Sequence, residues 1–196
     1  MAARRLHPLP SVEMLRERLD YDPETGALTW RARTVLHHTH RGWNTRFAGA
    51  EITTTQNCGY VVLRIAEVGV LAHRVAWAHF FGEWPDGEID HRDGDKTNNR
   101  ISNLRIATRV QNMHNVPGRA PSGYKGVQRT KNGKRWQASI GGGEGKRKHL
   151  GTFDTKEEAR DAYRRAALER HGEFANFSIV RRGTINATIS ITGKAA

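Results

Sequence analysis

The chain has 196 residues, 32 Lys+Arg against 20 Asp+Glu, a formal charge of +12, one cysteine and a mean hydropathy of -0.70. No apolar run reaches the roughly 20 residues of a membrane span, "MAARRLHPLP" lacks the apolar segment of a secretory signal, and Cys58 alone can build neither an intrachain disulfide nor a thiolate zinc site. Composition leaves a soluble, intracellular protein of modest cores, with the basic excess expected of a nucleic-acid binder.

The excess is lopsided. Residues 1–118 carry 15 Lys+Arg and 13 Asp+Glu, a net of +2, whereas residues 119–196 carry 17 and 7, a net of +10. Two halves with different tasks are expected.

In chain order, "SVEMLRERLDYD" predicts a short helix capped by Ser11, and "ETGALTWRAR" a turn into a strand. Residues 34–50 read as polar and irregular. Within them "HHTHR" sets His37 and His40 three apart. With so few further soft ligands in the chain, this predicts a basic DNA-contacting loop over a zinc site. "GYVVLRIAEVGVLAHRVAWAHFFG" predicts a strand, a glycine turn and a helix over about 72–81 that Gly82 ends. Then come strand "EIDH", the polar loop "RDGDKTNNRISN", strand "LRIAT" and the helix "RVQNMHN" with Thr108 as cap. That is a hairpin with a helix packed beside it, so that Asn112 could face the carboxylate and histidine at the strand end.

"NVPGRAPSG" reads as a linker where the charge balance changes. Beyond it, "GYKGVQRT", "RWQASIGG" and "KRKHLGTF" predict three short strands, the first two joined through an Asn-Gly turn. Trp136, Ala138 and Ile140 alternate with Arg135, Gln137 and Ser139. "DTKEEARDAYRRAALERHG" predicts a helix capped by Thr155 and Glu158, with Ala159, Ala162, Tyr163, Ala166 and Ala167 as its apolar stripe. "RRGTINATISITGKAA" alternates weakly and has no assigned place.

Two resemblances follow. "HRVAW", "IDHRDGDKTNNRISNLR" and "QNMHN", in that order, together with "LDYDPETGALTW", resemble the HNH endonucleases of the phage homing type over most of residues 11–116. "YKGV", "WQASI" and "LGTFDTKEEARDAYRRAALERHGEFANF" resemble the plant APETALA (ethylene-response-factor) DNA-binding domain over residues 122–177. Together they imply an α+β chain: a ββα-metal nuclease domain over 1–116 with its core at about 86–116, a linker at 117–122, and a three-stranded antiparallel sheet backed by one helix at 123–178. Residues 179–196 form a tail of unknown structure. Gln128, Thr130 and His149 replace the Arg, Arg and Trp usual in the plant domains, so the base sequence those proteins read does not transfer.

Phosphodiester hydrolysis needs an activated water and relief of charge on the phosphate and leaving oxygen. Asp90 supplies a hard anionic ligand and Asn112 a neutral carbonyl oxygen, a set suited to one Mg2+ or Mn2+. His91 can take the proton of the water, and Asn103 is expected to orient its ring. The HNH resemblance implies the same roles at these four positions. Arg92, Lys96, Arg100 and Arg105 are candidate phosphate contacts, while Asp93 and Asp95 shape the loop. His73 and Arg74 match a His-Arg pair of that family and read as packing or a backbone contact. On the second domain, Lys125, Gln128, Thr130, Arg135, Gln137, Arg147 and His149 form the candidate groove surface.

The expected function is a site-specific DNA endonuclease, cutting with one metal while the second domain holds the target. The expected partner is double-stranded DNA in the cytoplasm of a bacterial host, near the nucleoid, with no zinc, no small-molecule cofactor and no membrane. The working expectation for assembly is a monomer. The rival is a DNA-binding regulator with an inactive nuclease domain, and a second rival acts on RNA.

Overall fold

A computed structural model describes residues 8–115, 120–141 and 146–177. It divides into two compact units, Met1–Ala107 and Thr108–Ala196. The segment expected as a linker lies partly, and the tail wholly, outside the described residues.

The first unit opens with helix α1 (Val12–Arg18), whose cap Ser11 accepts from the Met14 amide at 3.2 Å. Strands β1 (Leu19–Tyr21) and β2 (Leu28–Trp30) pair antiparallel around the Asp22–Ala27 turn. Helix α2 (His38–Phe47) follows, where the sequence reads as irregular. Strands β3 (Val62–Ile65) and β4 (Val68–Leu71) form a second hairpin, which runs into α3 (Ala72–Phe81), ended by Gly82 as expected. Strands β5 (Glu88–His91) and β6 (Leu104–Ala107) form a third.

Two faces of α3 organise this unit. Val75 and Ala78 pack into a core with Leu15, Leu19, Leu28, Leu63 and Ile65. Ala76 packs with Ile89 and Leu104 against the third hairpin. The alanines let the helix approach closely, and Arg74 fastens the chain before β5 by donating to the Pro85 and Gly87 carbonyls, both at 2.9 Å. The sequence reading of Arg74 as a backbone contact therefore holds.

The second unit begins with α4 (Arg109–His114), capped by Thr108 in a capping box with Gln111. Strands β7 (Val127–Arg129), β8 (Trp136–Gly141) and β9 (Arg147–Phe153) form one antiparallel sheet with β8 in the middle. Helix α5 (Lys156–His171) carries the expected Thr155–Glu158 capping box. It buries Ala159, Ala162, Tyr163 and Ala167 against Val127, Ala138 and Ile140. Gly126, at φ +72°, sits where a β-carbon would overlap the Tyr163 ring, so only glycine lets the sheet lie this close to the helix.

Candidate active site and DNA interface

The third hairpin sets the polar cluster. Its register places Asp90 opposite Arg105 and His91 opposite Leu104. Asp90, His91 and Arg105 are all buried, at 4%, 3% and 6% exposure. Charges are not buried without partners. Here Arg105 donates through Nε to Asp90 Oδ2 at 2.8 Å, with its Nη2 2.7 Å from the same oxygen. Arg105 is thus withdrawn from the expected phosphate contacts; it serves as the counter-charge of Asp90.

His91 lies among rings. His73 meets it edge-on with centroids 5.1 Å apart, and Tyr60 lies 6.0 Å away. Burial holds both imidazoles below their ordinary pKa, His73 down to about 3. His91 is therefore neutral at pH 7, the form a general base needs. His73 also stays neutral, so it adds no positive charge beside the base.

The ring partner of His91 corrects one expectation. Its Nε2 lies 3.2 Å from Asn99 Oδ1, where Asn103 was expected to orient it. The tautomer in which Asn99 accepts puts the proton on Nε2 and the lone pair on Nδ1. Asn103 is spent on the loop. Its amide donates to Asp93 Oδ1 at 3.0 Å and the Asn98 carbonyl at 2.8 Å, and its Oδ1 accepts from the Asp93 N–H at 3.1 Å. Its own carbonyl accepts from the Arg92 N–H at 2.9 Å, which closes the loop directly after His91. Asp93 and Asp95 cap backbone N–H groups at Asp95 and Thr97, so they shape the loop as expected.

A further support comes from far upstream. The Tyr21 hydroxyl donates to the Asn99 carbonyl at 2.8 Å, and the Ile101 N–H to the Pro23 carbonyl at 3.1 Å. Gly26, at φ +79°, presses so close that a β-carbon would overlap the Asn99–Arg100 peptide. The β1–β2 turn therefore holds the segment that carries the His91 partner. The sequence reading assigns no role at the site to either Asn99 or Tyr21.

Of the remaining candidates in this unit, Arg92 and Arg100 are exposed. Lys96 is exposed too, but its ammonium donates to the Cys58 carbonyl at 2.9 Å and lies 4.5 Å over the Tyr60 ring, which ties the loop to the segment before β3. Asn112 stands on α4, in the second compact unit. Asp90 and Asn112 are both hard oxygen donors, and no cluster of three His, Cys, Asp or Glu residues able to hold a metal occurs among the described residues. Oxygen donors of this kind are the type a hydrated Mg2+ takes.

The second unit is different. Register puts Gln128, Gln137 and Thr152 on one side of the sheet, and Val127, Ala138 and Gly151 on the helix side. Arg147, His149 and Gln128 are exposed, and Gln137 is half-buried. Arg135 is exposed and pairs with Asp154 at 2.7 Å. The Thr130 hydroxyl shapes the hairpin turn, contacting Asn132 Oδ1 at 2.6 Å and the Arg135 carbonyl at 3.1 Å. Lys125 departs from expectation. It is half-buried, and its ammonium donates to the His114 carbonyl at 2.8 Å, so it ties α4 to the domain. Burial lowers its pKa accordingly.

Residues 70–114 match the HNH endonuclease family model, and residues 122–173 match the AP2 domain model. Protein 3.8 of Escherichia phage T7 is 34% identical over 108 residues, covering 54% of this chain and 88% of that protein. An AP2-like ethylene-responsive transcription factor of Oryza sativa subsp. japonica is 47% identical over 66 residues, 32% of this chain and 10% of the plant protein. Another, from Arabidopsis thaliana, is 40% identical over 84 residues, 40% of this chain and 17% of its own length. No helix among the described residues is long and apolar enough to cross a membrane.

Proposed function

The chain belongs to the HNH endonucleases and carries an AP2 DNA-binding domain, and from that premise we propose that it is a site-specific, homing-type DNA endonuclease whose AP2 domain holds the target. The observation that carries the reading is the buried Asp90–His91 pair, with its imidazole neutral and fixed through Asn99.

His91 takes the proton of the attacking water, while Asn99 keeps the ring from turning. Asp90 would hold the divalent ion through its carboxylate; Asn112 lies within the family match and carries a hard amide oxygen. A bound Mg2+ supplies Lewis-acid relief of charge on the phosphate and the leaving 3′ oxygen. Asn103 and Asp93 keep the loop closed behind His91. Arg92 and Arg100 lie exposed on the same loop, where a phosphate backbone can meet them. Exposed Gln128, Arg147 and His149 on the AP2 sheet can reach base edges in a major groove.

One observation favours a rival. Arg105 occupies Oδ2 of Asp90, the proposed metal ligand. A DNA-binding regulator could keep such a pair permanently closed. Supercoiled plasmid and a randomised duplex library, each with Mg2+ and with EDTA, separate the two. The proposal expects metal-dependent cutting with 5′-phosphate ends at a recurring sequence. Sequence-selective binding with no cutting in either condition would establish the regulator instead.

A further inference from the structure

Helix α2 buries no residue. Its inward stripe of His40, Trp43, Asn44 and Phe47 is only half-buried, and His38, Thr39, Arg41, Gly42, Thr45 and Arg46 are all exposed. It is held at its edge. The Asn44 amide exchanges two 2.8 Å hydrogen bonds with the Arg33 backbone, and Trp43 meets Trp30 edge-on at 5.7 Å. Gly42 in mid-helix lowers its intrinsic stability further. A helix polar on its outer face, with no acidic residue for i,i+4 pairs, is not kept for packing.

Its charge points to a use. Residues 25–50 contain no Asp or Glu but hold Arg31, Arg33, Arg41, Arg46 and three histidines. Arg31 pairs with Asp20 at 2.9 Å. Arg33 is laid over the Trp43 ring at 3.9 Å, and Arg46 over Phe47 at 5.2 Å. Stacking on an aromatic plane restrains a guanidinium and leaves its edge N–H groups able to donate to phosphate oxygens. These residues lie before both matched domain models, in the same compact unit as Asp90 and His91.

We propose that α2, with Arg33 beside it, is a phosphate-contacting surface that seats duplex DNA on the nuclease unit, separately from the AP2 sheet. This rests on the reading of the chain as a DNA endonuclease. A target held only by the AP2 unit would leave the scissile phosphate loosely presented to His91. Contacts on the nuclease unit itself turn tethering into positioning. The contacts proposed for these arginines are to the phosphate backbone and indifferent to sequence.

The test uses the full chain with Arg33→Gln, Arg41→Gln and Arg46→Gln combined, since glutamine keeps helix propensity. Affinity is measured against salt for one cleaved and one scrambled duplex. Three lost phosphate contacts should reduce the slope of log affinity against log salt by about 2 to 3, and weaken both duplexes equally, by on the order of 10- to 100-fold near physiological salt. Cutting at saturating protein should fall too, because the scissile phosphate is then less firmly presented to His91. Circular dichroism checks the fold, and if the triple variant misfolds, the single reversal Arg41→Glu at an exposed position carries the measurement.

An unchanged slope and affinity overturns the proposal. A loss confined to the cleaved duplex also overturns it, because that is base reading. Displacement of the wild-type protein by structured RNA at concentrations where duplex DNA fails would assign the surface to RNA. If wild type binds duplex but never cuts with Mg2+, the nuclease reading falls while the salt data still decide the fate of α2.

Discussion

The nuclease unit buries the polar cluster of its candidate site, and the AP2 unit presents its candidate DNA contacts on an open face. Asp90, His91, Asn99, Asn103 and Arg105 are all buried and hydrogen-bonded to one another or to the loop they form. Gln128, Arg147 and His149 stand exposed on a sheet whose stability comes from the opposite face. In the first unit the side chains proposed for the chemistry also hold the fold. In the second the two are separable, because α5 carries the packing and the open face carries the charge.

The sharpest break of this contrast is His91→Ala. It should lower cutting by roughly 100- to 10,000-fold while duplex binding persists. Cutting at the wild-type rate would remove His91 from the mechanism. Next, Arg105→Met should leave Asp90 buried without its counter-charge, at a cost of about 3–5 kcal/mol in urea unfolding. An unchanged midpoint would mean the pair does not hold the hairpin.

A pH series sharpens the same point. His73 is held near pKa 3 by burial, against 6.5 when exposed. The unfolded chain therefore binds a proton that the folded chain refuses. Stability should be full above about pH 6.5 and fall below it, by up to about 1.4 kcal/mol per pH unit for this group. His91 and His79, lowered likewise by burial, add to the fall with the same sign. His73→Phe should flatten the acid limb of urea midpoints, and an unflattened limb would assign the acid sensitivity elsewhere. The smallest structural effect belongs to the other unit. Arg147→Ala should change stability by less than about 0.5 kcal/mol, yet weaken binding by about 1–3 kcal/mol at one base position if it reads a base. Equal weakening on all sequences would make it a phosphate contact.

Much of this was legible in the residues. Caps at Ser11, Thr108 and Thr155, the stop at Gly82 and the alternation through Trp136, Ala138 and Ile140 all follow from local rules that the fold obeys. What escaped depends on distance in space. Helix α2 has only Trp43 and Phe47 as apolar members of its inward stripe, too few to show a period. Four asparagines, at 98, 99, 103 and 112, compete for one histidine, and loop closure chooses Asn99. Arg105 alternates with Leu104 and so reads as solvent-facing. The strand register that sets it opposite Asp90 decides otherwise, and that register depends on the length and folding of the intervening loop.

Gly26 has a consequence for the portability of this nuclease. The matched HNH segment begins at residue 70, yet the peptide carrying the His91 partner rests on a turn more than forty positions upstream. A cassette cut at the family boundary and grafted onto another binding domain would carry every motif residue and none of the turn that steadies them. Gene fusions that conserve activity should therefore start before Ser11, and a single Gly26→Val exchange should disable an otherwise intact motif. The reach of the active site along the chain is longer than its signature.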